Sequence, residues 1–214
     1  MNGHIPVLLD ECIKYLNIKP DGIYVDGTLG MGGHSEAILQ RLTTGRLISI
    51  DRDITAIERA GERLAPYADR LTIVHGNFRD LDAILDELGV RLVDGMLFDL
   101  GVSSPQLDEA DRGFSYMSDA PLDMRMDASD NIDAWFIVNR WPQEKIERIL
   151  RDYGEERHAA RIAARIAERR EEKEIETTLE LVDVIKSAMP AAALREKQHP
   201  AKRSFQAIRI AVND

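Results

Sequence analysis

The residues of this chain best placed to do chemistry are glycines and a carboxylate that follow a short apolar strand. The strand Ile23–Val25 leads into Asp26, and apolar residues resume at helical spacing at Ile38 and Leu42. Glycine leaves room for a ligand to touch the backbone, and the first N–H groups of a helix are unpaired. The segment therefore predicts a small-molecule site. Its glycines are Gly27, Gly30, Gly32 and Gly33.

A second carboxylate, Asp51, follows the apolar strand Leu47–Ile50. In α/β nucleotide sites an acidic residue in this region bonds the hydroxyls of a ribose. The loop and Asp51 together predict an adenosine-containing cofactor rather than a simple tight turn.

The spacing of the loop separates three cofactor classes. A Walker loop requires Gly-Lys-Ser/Thr, but Gly33 follows Gly32 here and no lysine lies nearby. The dinucleotide fingerprint places glycine or alanine where this chain has Ser35, and Asp26 would face the pyrophosphate. S-adenosylmethionine, which carries a sulfonium and an ammonium group, fits the acidic loop best.

Alternating strands and helices in the first hundred residues predict an α/β fold with a doubly wound parallel sheet. Ligands of such sheets bind beyond the carboxyl ends of the strands. The predicted strands are Ile23–Val25, Leu47–Ile50, Leu71–Val74 and Val93–Leu97, and the residues at their ends are Asp26, Asp51, Gly76-Asn77-Phe78 and Asp99.

Beyond Asp99 the pattern changes. Residues 101–131 lack helical or strand periodicity, but their apolar side chains predict an ordered, packed loop. Helices are predicted from Ile132 to about Met189, with a capping box at Thr177 and Glu180. We predict a core at residues 1–108, a helical insertion for substrate recognition at 109–199, and a helix at 200–214 that returns to the core. The apolar face of that last helix carries Ala201, Phe205, Ile208 and Val212.

Composition bounds the class of protein. The 214 residues are 44% hydrophobic, with no apolar run near the ~20 residues of a membrane span. The first residues lack the features of a signal peptide, which predicts a cytoplasmic protein. The single cysteine, Cys12, excludes an internal disulfide. It lies in a predicted amphipathic helix, where we expect it to be buried as a packing residue. A sheet of four strands would leave Val93–Leu97 at an edge, so we expect the chain to be cut short.

A net charge of −10 argues against general attraction to nucleic acid. RNA contact would need a local basic patch, and a solvated helix end is the alternative interpretation. The basic residues near the last helix are Arg195, Lys197, His199, Lys202, Arg203 and Arg209.

Several longer strings resemble one family, from about His4 to Asp214. They are similar to the RsmH/MraW family, bacterial methyltransferases that act on the exocyclic amine of a cytosine in small-subunit ribosomal RNA. The strings are Asp26-Gly-Thr-Leu-Gly-Met-Gly-Gly-His-Ser, Asp51-Arg-Asp, Phe98-Asp-Leu-Gly-Val-Ser-Ser-Pro-Gln-Leu-Asp, Arg112-Gly-Phe-Ser-Tyr, Pro121-Leu-Asp-Met-Arg-Met-Asp, Tyr153-Gly-Glu-Glu-Arg and His199-Pro-Ala-Lys-Arg-Ser-Phe-Gln-Ala-Ile-Arg.

The resemblance implies a Rossmann-like class I methyltransferase fold, S-adenosylmethionine as cofactor, and small-subunit ribosomal RNA, within the ribosomal subunit, as partner. Family members continue for roughly another third of their length. The cofactor contacts that the resemblance implies are Gly32, Gly33, His34, Asp51, Phe78, Asp99 and Gln106.

Methylation of an exocyclic amine needs hydrogen-bond acceptors, because the lone pair of its nitrogen is conjugated with the ring. Asp99 is expected to be this acceptor or to orient the cofactor, and Ser103, Ser104 and Pro105, with Gln106, are expected to form the base pocket. Phe114 or Tyr116 is an expected aromatic platform for the base.

Other functions remain as alternatives. The chain could be a fragment that binds the cofactor or the ribosome without turnover, or a nicotinamide oxidoreductase, which the loop spacing disfavours. Methylation of a ring carbon is disfavoured because it would require Cys12 at the site. We expect no metal, and we expect the acidic residues Asp119, Asp123, Asp127 and Asp130 to be solvated or paired with arginine.

Overall fold

The computed structural model of the chain describes residues 6–213, apart from the side chains of Ser104 and Pro105. The chain divides into two units, one ending at Gly101 and the other beginning at Val102. The predicted boundary at residues 108 and 109 lies seven residues further along the chain. Each unit has its own buried core and is described by itself.

The first unit is built on a sheet of four parallel strands, numbered along the chain as β1 (Ile23–Asp26), β2 (Arg46–Asp51), β3 (Leu71–His75) and β4 (Gly95–Leu97). Their order in the sheet is β3-β2-β1-β4. β1 pairs with β2 on one side and with β4 on the other, and β2 also pairs with β3. The predicted doubly wound parallel sheet is therefore confirmed.

Helices cover both faces of this sheet. On one face Tyr24 and Leu47 pack in a core with the two helices that follow β1 and β2, and on the other Val25 and Ile48 pack against the helix that follows β3. Because strand side chains alternate between faces, each strand supplies apolar residues to both layers. The helices of this unit are α1 (Leu9–Leu16), α2 (Gly33–Leu39), α3 (Ile54–Leu64) and α4 (Leu81–Glu87).

The strand β4 lies at an edge of the sheet, as the sequence predicts. Met96 at its centre is 42% exposed, whereas Leu97 is buried. The edge thus presents a partly apolar surface. In α1, Cys12 is half-buried rather than buried, and burial is the largest of the causes that raise the pKa of its thiol.

The second unit is helical. Its first stretch was predicted to lack regular structure, but it contains a short helix and a 3-10 turn at Ala110–Arg112. The prediction of a packed loop is confirmed, because Phe114, Leu122 and Met124 are buried in the core of this unit. The helices are α5 (Ser104–Asp108), α6 (Ala134–Arg140), α7 (Gln143–Asp152), α8 (Ala159–Glu172), α9 (Thr178–Ala188) and α10 (Lys202–Asn213).

The predicted capping box begins α9. The Thr177 hydroxyl accepts from the Glu180 amide, and the Glu180 carboxylate accepts from the backbone N–H of Thr177. Two of the otherwise unpaired N–H groups at the start of the helix are satisfied in this way.

The last helix, α10, packs on α6 and α7 within the second unit. Its predicted apolar face is buried, with Phe205 and Ile208 fully enclosed. These side chains belong to the buried core of the second unit, whereas the sequence predicts a helix that returns to the core at residues 1–108. In the described part of the chain no helix is long and apolar enough to cross a membrane.

Candidate functional site

The loop between β1 and α2 requires glycine for its backbone conformation. Gly30 and Gly32 have φ of +50° and +75°, in the left-handed region that side chains other than glycine rarely adopt. A Cβ atom on Gly30 would meet nothing closer than 3.9 Å, so the space beside this residue is open. The loop therefore presents accessible backbone at the carboxyl end of β1.

Asp26 does not face this open space. It is fully buried, its Oδ2 accepts from the Ser35 hydroxyl at 2.7 Å, and its Oδ1 accepts from the Thr28 N–H at 3.1 Å. Ser35 also pairs with the Ser49 hydroxyl at 2.9 Å. The prediction that Asp26 makes the loop acidic toward a ligand is wrong, because its carboxyl group is buried and hydrogen-bonded to Ser35 and Thr28.

Burial raises the pKa of the Asp26 carboxyl above its ordinary value of 3.8, while the bonds from Ser35 and Thr28 work in the opposite direction. A buried carboxyl group has little water to stabilise its charge. Asp26 therefore holds the loop by hydrogen bonds, but ionisation of its buried carboxyl lowers the stability of the fold.

Asp51, at the end of β2, keeps part of its carboxylate available. Its Oδ2 accepts from the Gly30 N–H at 2.7 Å and its Oδ1 from the Asp53 N–H at 2.9 Å. A carboxylate has about four acceptor positions, and the Arg52 backbone N–H also bonds this group, so about one position remains for a hydroxyl donor. The side chain is partly exposed, and burial raises the pKa of its carboxyl group.

Asp99 lies two residues beyond β4 and is exposed. Its backbone N–H donates to the Thr28 hydroxyl at 2.7 Å, which ties it to the glycine loop. The structure thus brings Asp51 and Asp99, from the two strands that flank β1, to one loop. Neither Thr28 nor its bond to Asp99 was identified from the sequence.

Two aromatic rings stand beside the loop. Phe78 and Phe98 meet edge to face, with ring centroids 5.5 Å apart, and they are 38% and 40% exposed. A Cβ atom on Gly27 would lie 2.2 Å from the Phe98 ring, so Gly27 allows that ring its position. The alternative interpretation of Phe78 as a core residue after β3 does not fit this exposure. Phe98 was missed, although its place at the end of β4 could have signalled it.

His34, in the first turn of α2, is buried and its Nε2 lies 3.1 Å from the Val7 carbonyl oxygen. Because a carbonyl only accepts, Nε2 is the donor. The alternative to a cofactor contact was that His34 points into solvent at the start of the helix, and its burial contradicts this. A Cβ on Gly33 would meet Pro6 at 2.3 Å, so residues 6 and 7 cover the start of α2.

Ser103 and Gln106 belong to the second unit and bond each other at the start of α5. The Ser103 N–H donates to Gln106 Oε1 at 2.9 Å, and the Gln106 N–H reaches Ser103 Oγ at 3.5 Å. This is the reciprocal pattern of a capping box, and it gives both side chains a structural role. The side chains of Ser104 and Pro105 lie outside the described residues.

The expected aromatic platform is not formed by Phe114, which is fully buried. Tyr116 is half-buried, stacks on His199 with centroids 4.6 Å apart, and meets Phe205 edge to face. Both rings are engaged in the packing of the second unit. The prediction of Phe114 as a platform is therefore wrong.

The predicted basic patch is largely exposed. Arg195, Lys197 and Lys202 are exposed, and Arg203 is half-buried with Nη1 3.4 Å from the Glu155 carbonyl oxygen. Arg209 is the exception, because its Nη1 donates to the Phe114 carbonyl at 3.2 Å and burial lowers the pKa of its guanidinium. The structure assigns Arg209 to internal packing and not to the exposed surface.

Within residues 6–213, no three His, Cys, Asp or Glu side chains form a group that could hold a metal ion. Asp123 is instead paired with Arg125 at 2.7 Å. The prediction of arginine pairing is thereby confirmed for this acidic residue.

Comparison with known proteins decides the family. The family model described as the MraW methylase family matches residues 1–214. The chain belongs to the MraW methylase family. Membership confirms the predicted resemblance, the methyltransferase class and S-adenosylmethionine as the cofactor. It gives no support to a nicotinamide oxidoreductase.

Similar proteins include three named ribosomal RNA small subunit methyltransferase H. Those of Brevibacillus brevis, Exiguobacterium sibiricum and Thermobifida fusca are 57%, 57% and 55% identical, over 99%, 100% and 99% of this chain. The chain spans 68%, 69% and 65% of their respective lengths.

Likeness to solved structures is weaker. An rRNA methylase from Streptococcus thermophilus is 17% identical, with a TM-score of 0.38, over 55% of this chain and 71% of that one.

The buried Asp26 generates a prediction about pH and stability. Because its pKa is raised in the folded state, the folded protein is favoured while this carboxyl is neutral, and stability is lost as pH rises through the folded-state pKa. Asp26→Asn keeps an acceptor for Thr28 and cannot ionise. The free energy of opening of Asp26→Asn, relative to wild type, is therefore expected to increase as the pH rises above 3.8, the ordinary pKa of the carboxyl.

Hydrogen–deuterium exchange of the β1 and β2 amides measures this difference at each pH. The exposed carboxyl of Asp21 supplies the control, and Asp21→Asn should show no such trend. A constant difference between Asp26→Asn and wild type across the pH range would contradict the assignment.

Proposed function

We propose that this chain uses S-adenosylmethionine to methylate the exocyclic N4 amine of a cytosine in small-subunit ribosomal RNA. The observation that carries the proposal is the convergence of Asp51 and Asp99 on one open glycine loop. Membership of a methylase family and the names of the relatives support the reaction class and the RNA. The choice of the cytosine N4 amine as the methylated group is more specific, and it is implied by the resemblance of the sequence motifs to the family.

The residues of the loop fit the cofactor. The open space beside Gly30 admits a ligand to the backbone, and the remaining acceptor capacity of Asp51 suits a ribose hydroxyl. The exposed ring of Phe78 offers an apolar surface for adenine. Gly32 and Gly33 would let the backbone approach the methionine part, and the family resemblance implies His34, Asp99 and Gln106 as further cofactor contacts.

Bound S-adenosylmethionine supplies an electrophilic methyl group on its sulfonium. The protein must orient the attacking nitrogen and accept hydrogen bonds from its protons. Asp99 has an exposed carboxylate at the end of β4 for this role. Ser103, Ser104 and Pro105 are proposed to line the base pocket, and the target nucleotide must leave any stack to reach it.

Asp99 can accept a hydrogen bond from the amine and thereby draw its lone pair out of conjugation with the ring. When the N–CH3 bond forms and the C–S bond breaks, the nitrogen gains positive charge and gives up one proton. An acceptor already bonded to that proton lowers the barrier to its removal.

The proposed reaction is tested with a labelled methyl donor. The chain is incubated with small ribosomal subunits that lack this methylation, and the RNA is digested to nucleosides. We expect label on N4 of a cytosine. Label on a ring carbon or on protein would contradict the chemistry. Donor binding without any label in RNA would favour the second candidate, a fragment that binds the cofactor or ribosome without turnover.

The exposed basic patch on and before α10 is proposed to contact the RNA backbone. Its members are Arg195, Lys197, Lys202 and Arg203. Because the net charge is −10, attraction to phosphate has to come from a local group of this kind. Packing of α10 on α6 and α7 holds the last two on a stable helix.

Charge reversal tests this patch. The double variant Lys202→Glu/Arg203→Glu is expected to weaken binding of the small subunit by about tenfold or more, and to reduce the slope of log affinity against log salt by about two. Binding is measured by filter retention over a series of salt concentrations. The affinity for S-adenosylmethionine, measured by calorimetry, should not change.

A matched control is Arg148→Glu/Arg161→Glu, which makes the same change of charge at two exposed positions of the second unit. It should bind more tightly than the patch variant. Equal losses in both double variants would show that overall charge, and not this patch, governs RNA binding.

A further inference from the structure

The loop after β1 is bonded to both neighbouring strands, through two residues that flank Thr28. Gly27 N–H donates to the Leu97 carbonyl at 2.9 Å, toward β4. Leu29 N–H donates to the Ile50 carbonyl at 2.9 Å, toward β2. Between these two, Thr28 is the residue whose side chain takes part.

Thr28 forms two hydrogen bonds with different partners. Its N–H donates to the buried Asp26 carboxyl, and its hydroxyl accepts from the Asp99 N–H at 2.7 Å. The 2.7 Å bond is short for an N–H donor. One residue therefore links the interior anchor of the loop to the backbone of the exposed carboxylate.

Asp99 has few other constraints from its own strand. β4 ends at Leu97, so Asp99 lies outside the ladder of the sheet. Its exposed side chain and that of Leu100 leave it without the packing that fixes a core residue. The hydroxyl of Thr28 is thus well placed to decide where the Asp99 backbone lies.

We infer that Thr28 is a positioning residue for Asp99: its hydroxyl holds the backbone from which the acceptor carboxylate projects. The inference rests on the proposed function of Asp99. Loss of the hydroxyl leaves the shape of residue 28 nearly unchanged in Thr28→Val but removes the acceptor. Thr28→Ser keeps the acceptor and drops only a methyl group.

Amide exchange at Asp99 tests the bond itself. In Thr28→Val the Asp99 N–H should exchange roughly 3- to 10-fold faster than in wild type, whereas Thr28→Ser should restore the wild-type rate. Thr43→Val is the matched control, because Thr43 donates its hydroxyl to the Pro20 carbonyl in an exposed turn before β2. It should leave the exchange of Asp99 unchanged.

A double-mutant cycle tests the consequence for the reaction. At saturating donor, Thr28→Val is expected to lower kcat roughly 3- to 10-fold in the wild-type background and to have no further effect in Asp99→Ala. Thr28→Ser should recover most of the rate. A purely structural role would lower the rate equally in both backgrounds.

Two results would overturn the inference: an unchanged exchange rate of the Asp99 amide in Thr28→Val, or the same factor lost from kcat with and without the Asp99 carboxylate. If the wild-type chain transfers no methyl group, the proposed function fails. The exchange measurement then still decides whether Thr28 positions Asp99.

Discussion

The hydrogen bonds of the loop at residues 27–30 are the interaction on which the rest of the site depends. Parallel strands bring their carboxyl ends to one edge, but they do not by themselves fix the loops beyond that edge. Here the loop after β1 bonds to β4 and β2 in turn, and it also bonds the Asp51 carboxylate and the Asp99 backbone. One loop therefore holds the ends of two separate strands in place.

The cost of this arrangement falls on Asp26. Its carboxyl is fully buried among Ser35, Ser49 and the loop backbone. Such a group destabilises the fold when ionised, and each bond from a hydroxyl or an N–H offsets part of that cost. Its hydrogen bonds give the loop a defined position, which a set of glycines alone would not provide.

The architecture of the first unit could be predicted because apolar strands and polar strand ends are local signals. The orientation of Asp26 could not. Side chains alternate along a strand, so Asp26 shares the face of Tyr24, which helix α2 covers. Its side-chain partner Ser35 lies in the following helix, and Ser35 in turn bonds Ser49, which comes next to Asp26 only when the strands pair.

The second unit shows a similar limit. The apolar face of α10 was evident from its periodicity, but a periodic face does not specify its partner, which proved to be the helical core. By contrast, the hydrogen bonds between Ser103 and Gln106 could have been predicted from the sequence, since their spacing is that of a capping box. Phe114 was misassigned because an aromatic residue in a long loop can equally be a binding surface or an anchor for the loop.

We propose that the glycine loop, Asp51 and Asp99 bind S-adenosylmethionine together. Titration of the 15N-labelled chain with this compound, followed by NMR, tests this binding. We expect shifts of the amides of Gly30, Gly32, Asp51 and Asp99 with a single affinity, at least tenfold weaker in Asp51→Ala. Shifts confined to the second unit, or no shifts at all, would contradict it.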